Sequence, residues 1–146
     1  MYRTKTTTRI LSALAALLLL LASLTACSGG VTREETQTAM DSLLSALDNE
    51  NYAEAAALYH PDAAMTEELL AAFAEQVKTK VGIDLTEGAV VEKITGISTS
   101  YYDSNVDGSR YALTAKIKAG DKTARLTVEV VRNDRGYGIF KVECNP

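Results

Sequence analysis

The chain has no tryptophan, a single histidine, two phenylalanines and two cysteines among 146 residues. Each scarcity removes a class of function. Two cysteines and one histidine leave no Cys/His spacing for a metal site and no disulfide framework, so stability has to come from packing. One histidine, His60, also leaves no Ser-His-Asp set that can be placed along the chain. No glycine-rich phosphate loop precedes a helical pattern, and no internal repeat is present. An enzyme of this size would carry its chemistry in side chains, and the sequence displays no such set.

The amino terminus is informative. Arg3, Lys5 and Arg9 form a cationic head, and Ile10 to Leu24 is an apolar run of 15 residues. That run falls short of the roughly 18 expected of a spanning helix. A charged head, a short apolar core and small residues at its end predict a secretory signal rather than an uncleaved anchor.

The segment closes on Leu24-Thr25-Ala26-Cys27. "LTAC" resembles the lipobox of bacterial lipoproteins. The resemblance implies cleavage after Ala26 and acylation of the Cys27 thiol, so that membrane lipid is the first partner. Two or more acyl chains anchor a protein stably where one does so marginally. The expected layout is a lipoprotein signal peptide at 1–26, a lipidated short tether at 27–31 and one α+β domain at 32–146. The location expected is the extracytoplasmic face of the cell membrane. Ser28, Gly29 and Gly30 read as a flexible link, short enough to hold the domain close to the bilayer.

Removal of the first 26 residues leaves 120, enough for one core. The loss of Arg3, Lys5 and Arg9 leaves 12 basic against 19 acidic residues, a net charge of −7. A chain this acidic is a poor partner for nucleic acid. With Cys27 acylated, Cys144 has no partner in the chain; it is either a small core residue or a reactive thiol.

Beyond the tether, hydropathy switches period once. Thr32 followed by Glu35 is a capping box, with Met40, Leu43, Leu44 and Leu47 at helical spacing behind it. Asn51 and Glu54 repeat the arrangement for a short helix that turns Tyr52, Ala55, Ala56 and Tyr59 inward and ends at Pro61. A third helix starts near Thr66, lines Leu69, Leu70, Phe73, Val77 and Val81 on one face, and stops at Gly82.

After Leu85 the alternation is of strand type. Val91, Lys93, Thr95, Ile97 and Thr99 alternate with Val90, Glu92 and Ile94, with Gly96 as a point of bending or bulging. Tyr111 to Lys118, Ala124 to Val130 and Gly138 to Cys144 supply three more strands, separated by turns at Gly120-Asp121 and at Asn133 to Gly136. In the last strand Gly138, Phe140, Val142 and Cys144 share one face. The fold class expected is α+β: three helices packed on a four-stranded antiparallel meander.

"LDNENYAEAAALYHPDA", "TEELLAAF" ahead of "VG", and "GYGIFKV" give the chain a resemblance, over most of Leu43 to Val142, to small bacterial domains of the nuclear-transport-factor-two-like or cystatin-like type. The resemblance implies a cone-like arrangement, a bent sheet around a long helix with a pocket at the open end. Members include isomerases and polyketide cyclases as well as non-catalytic binding and lipoprotein modules.

Four side chains are candidates for a pocket: Tyr59, His60, Tyr101 and Tyr111. Tyrosine couples apolar area to a polar handle, which suits a binding face and equally a half-exposed sheet. His60 stands two residues before Asp62. A general base needs an orienting partner, but the alternative is that His60 caps the end of the second helix while Asp62 shapes the turn.

Asp103, Asn105 and Asp107 with Gly108 match the first half of a calcium-binding loop. The twelfth position, where such a loop closes with a carboxylate, is Thr114, and the flanks alternate as strands, so the stretch reads as a hairpin tip. The function expected is a membrane-anchored lipoprotein whose domain binds a protein or small molecule without catalysis and without a cofactor. The alternative is a small enzyme using His60 and tyrosines.

Overall fold

The capping box at Thr32 forms as the sequence predicts. The Thr32 hydroxyl accepts from the Glu35 N–H at 3.2 Å, and the Glu35 carboxylate accepts from the Thr32 N–H at 2.9 Å. This opens helix α1 (Arg33–Asp48) in the computed structural model, which describes residues 29–102 and 107–146. Met40, Leu43, Leu44 and Leu47 are buried on one stripe of α1, each contributing about 2 kcal/mol of apolar transfer. The Asn51 side chain caps α2 (Tyr52–Ala57), and the Thr66 hydroxyl caps α3 (Glu67–Gln76). α3 continues through a wider turn, Val77–Val81, and stops at Gly82 in the left-handed region, φ 83°.

Four strands follow: β1 (Val90–Tyr102), β2 (Asp107–Ala119), β3 (Lys122–Asn133) and β4 (Gly136–Asn145). All neighbours pair antiparallel in the order β1-β2-β3-β4. Leu113, Ala115 and Ile117 of β2 and Leu126, Val128 and Val130 of β3 are buried in one cluster with the α1 stripe, Leu70 and Ile83. Helices followed by a four-stranded meander is therefore the α+β order expected.

Several details depart from the expected pattern. In β1 the pairing with β2 slips at Glu92 and again at Thr95, beside Gly96. Each slip inserts one residue and reverses the facing of those that follow. Val91, Ile94 and Ile97 consequently pair with Ile117, Ala115 and Leu113, three residues apart rather than two. In β4 the slip falls at Phe140. Ile139 pairs with Val130 and is fully buried, and it shares the core side with Val142, a place the alternation gave to Gly138 and Phe140. On α3, Leu69 is 53% exposed, while Leu70 and Val77 carry the buried face.

The second helix also ends earlier than Pro61. Past Ala57 the chain extends, and Tyr59 bridges Ile139 in parallel. The Ile139 N–H donates to the Leu58 carbonyl and the His60 N–H to the Ile139 carbonyl, both at 2.9 Å. This short segment covers the edge of β4 that β3 leaves open. Gly138 permits the approach: a Cβ there would stand 2.5 Å from the His60 nitrogen and 2.8 Å from the Leu58 carbonyl oxygen.

Candidate functional site

Among the described residues, a cluster of linked polar side chains lies at one end of the sheet. There the start of β2, the β3–β4 turn, the segment after α2 and the residues entering α1 come together. His60 is at its centre and is 1% exposed. Its Nδ1 accepts from the Asp62 backbone N–H at 3.0 Å. That places the ring proton on Nε2, which donates to Asn133 Oδ1 at 2.9 Å. Asn133 Oδ1 also accepts from the Arg135 N–H at 3.0 Å, and its Nδ2 donates to the Asp107 carbonyl at 3.1 Å. Phe140 stands edge-on to the imidazole, ring centroids 6.2 Å apart.

The His60–Asp62 pair weighed as a general base takes another form. The Asp62 carboxylate is 3.8 Å from Nδ1, beyond hydrogen-bond reach, and instead accepts from Arg135 Nε at 2.6 Å. With Nδ1 occupied by a backbone donor and Nε2 by Asn133, the ring offers no lone pair to a substrate proton. The cap at His60 serves the 3-10 turn Pro61–Ala63 that follows it, and not the end of α2.

Arg135 ties three segments. It donates to Asp62, to Asp107 at 2.9 Å and to Asp134 at 3.3 Å. The hydrogen bond and charge of Arg135 hold the Asp107 carboxyl below its ordinary range. Of the three residues considered as calcium ligands, Asp107 is thus engaged by a guanidinium, and Asp103 and Asn105 lie outside the described residues. Asp107 and Gly108 belong to β2, and Asp107 pairs with Tyr102 across the loop. Among the described residues no group of three acidic, cysteine or histidine side chains could hold a metal ion.

Of the candidate pocket residues, Tyr59 adjoins His60 in the covering segment and Tyr111 stands apart from it. Tyr111, Val130, Ile139 and Tyr59 form one row across β2, β3, β4 and the covering segment. Tyr111 and Tyr59 are therefore three strand spacings apart, roughly 14 Å. Burial pushes the Tyr59 phenol up to about 12, which keeps it protonated. Tyr101 lies in β1, and its side chain is outside the described part of the molecule.

A cavity of about 300 Å³ opens elsewhere, on the sheet face turned away from the helices. Arg110 pairs with Glu129 there at 2.8 Å, and Thr114 and Thr127 share a 2.9 Å hydrogen bond. Lys141 and Glu143 pair at 2.7 Å along its rim, with Gly96 and Ser98 opposite. Glu129 is only 8% exposed on this uncovered face. No simple period marked this site, because it depends on which residues of four strands fall opposite one another. Cys144 lines a different groove, of about 520 Å³, with Phe73, Val77 and Val81. Burial pushes its thiol up to about 11, far from a reactive thiolate.

The described part of the tether is the last departure from expectation; Cys27 and Ser28 lie outside the described residues. Gly29 and Gly30 are docked: their carbonyls accept from Arg132 at 3.2 and 3.1 Å. The same guanidinium donates to Glu35 at 2.6 Å and lies 4.7 Å over the Tyr137 ring. Burial opposes ionisation of Glu35, but hydrogen bonds from Arg132 and Thr32, with the Arg132 charge, hold its carboxyl below the ordinary value. No helix among the described residues is long and apolar enough to cross a membrane. No protein-family model, curated protein or solved structure matches the chain.

Proposed function

We propose that this chain is a bacterial lipoprotein, held by acylated Cys27 at the extracytoplasmic face of the cell membrane, whose domain binds a partner without catalysis. The amino-terminal segment carries the reading: the cationic Arg3, Lys5 and Arg9, the apolar run Ile10 to Leu24, and "LTAC" closing on Cys27. Cleavage before Cys27 would leave two residues, Cys27 and Ser28, ahead of Gly29, whose carbonyl accepts from Arg132.

The side chains support binding over chemistry. Both His60 nitrogens are engaged, and the Tyr59 phenol and Cys144 thiol are both pushed toward their protonated forms. The cavity between Arg110, Glu129 and Lys141 offers both signs of charge to a polar ligand or a protein loop. The cone-like, cystatin-like arrangement belongs to the same reading: the slips in β1 would bend the sheet around α1.

The test is Cys27→Ala in a bacterial host, followed by membrane fractionation and labelling with a fatty-acid analogue. The wild type should sediment with membranes and carry label; the variant should lose both. A wild type that takes up no label would overturn the proposal. For the binding face, a photocrosslinker at Lys141 should capture a partner that one at Asp121 does not. Equal capture at both positions would count against the sheet face.

A further inference from the structure

Arg132 follows the core position Val130 on the helix-facing side of β3. It reaches back some hundred residues in sequence to the Gly29 and Gly30 carbonyls. Its other terminal nitrogen holds Glu35 of the α1 capping box. The next residue along, Val31, is 8% exposed, and its N–H donates to Ser109 Oγ of β2 at 2.8 Å. The segment entering α1 is thus fixed to β2, to β3 and to the first turn of α1.

We propose that this clamp sets the orientation of the domain on the bilayer, with the β3–β4 turn against the lipid headgroups and the β2–β3 turn pointing away. The inference rests on acylation of Cys27. A single residue, Ser28, separates Cys27 from the clamped Gly29. At about 3.5 Å per residue the acylated position stands within roughly 7 Å of Gly29. The headgroup layer on one side of a bilayer is of about that thickness. The surface forced against it carries Arg135, Asp134 and Asp107, all ion-paired. The Gly120-Asp121 turn stands off by the length of β3, roughly 36 Å at about 3.3 Å per residue. A lipid on a flexible link would impose no such direction; a lipid on a clamped one does.

The test uses the full lipidated chain in phosphatidylcholine vesicles that carry a headgroup-attached nitroxide. Cys144→Ser removes the free thiol, and a fluorophore is placed at Asp134→Cys or at Asp121→Cys. Quenching should be at least about threefold stronger at position 134 than at 121, given the length of the strand between them. Insertion of about ten Gly and Ser residues between Ser28 and Gly29 touches no side chain of the fold and should abolish the difference, because such a linker is a flexible coil. Arg132→Met should reduce it. Equal quenching at the two positions while the protein stays on the vesicles would overturn the orientation and leave the anchor standing. A difference that survives the spacer would overturn the role of the clamp. Protein that never associates with vesicles would overturn the anchor, and the orientation with it.

Discussion

The two ends of the sheet are held in different ways. At the β3–β4 end, His60, Arg132 and Asn133 join segments distant in sequence; His60 is buried, and Arg132 and Asn133 are half-buried. At the β2–β3 end the ties are shorter and more exposed. The Gly120 N–H donates to the Glu87 carbonyl at 2.9 Å, the Gly88 N–H to Asp48 Oδ1 at 2.7 Å, and Lys78 pairs with Asp84 at 2.8 Å. Exposed pairs of that kind contribute little, whereas a buried polar group left without its partner costs its full desolvation. The end that holds the Gly29 and Gly30 carbonyls is thus the one where single substitutions should do most damage.

The largest effect is expected at Gly138. Gly138→Val drives a side chain into the backbone of the covering segment and should cost about 3 kcal/mol, read as a fall in melting temperature. His60→Ala removes the acceptor for the Asp62 N–H and the donor to Asn133 beside Phe140. It should cost about 2–3 kcal/mol in chemical denaturation. If His60→Ala unfolds no more readily than wild type, the node at this end is not structural.

Arg132→Met gives up the fork to the Gly29 and Gly30 carbonyls, the Glu35 pair and the stack on Tyr137, for about 1–2 kcal/mol. Thr32→Ala, which opens the capping box beside it, should cost about 1 kcal/mol.

The smallest effect belongs to the opposite end. Hydrogen bonds from Lys78 and Thr86 hold the Asp84 carboxyl at about 2, below its value in an unfolded chain. A carboxylate depressed in the folded state stabilises above its unfolded pKa, near 4, and that contribution fades as pH falls toward 2. Asp84→Asn should therefore differ slightly from wild type at neutral pH and converge with it in acid. A gap that widens in acid would reverse the sign assigned to Asp84.

Much of this arrangement was legible in the sequence where the physics is local. Thr32 with Glu35, Asn51 with Glu54, and Thr66 each cap a helix within three residues, so their signal is complete in a short window. Strand number and order followed from alternation and turn residues. The facing of β1 and β4 did not. A slip at Glu92, Thr95 or Phe140 is decided by the partner strand, and only Gly96 hinted at one.

The cover over β4 was hidden for a related reason. Gly138 reads as a weak strand residue until Leu58, Tyr59 and His60 are brought against it. His60 read as a base or a cap; the Asp62 N–H at Nδ1 decides which nitrogen carries its proton, and the acceptor for that proton, Asn133, lies far away in sequence. The Arg132 clamp spans a hundred residues between groups with no distinctive spacing, so a segment of two glycines looked free.

Hydrogen exchange at the Val31 amide tests the clamp most directly. Val31 donates to Ser109 Oγ behind two carbonyls held by Arg132. Docked as described, its amide should exchange orders of magnitude more slowly than an unstructured one, and Arg132→Met should bring it toward the unstructured rate. An amide that already exchanges at the unstructured rate in the wild type would show a free tether and contradict the clamp.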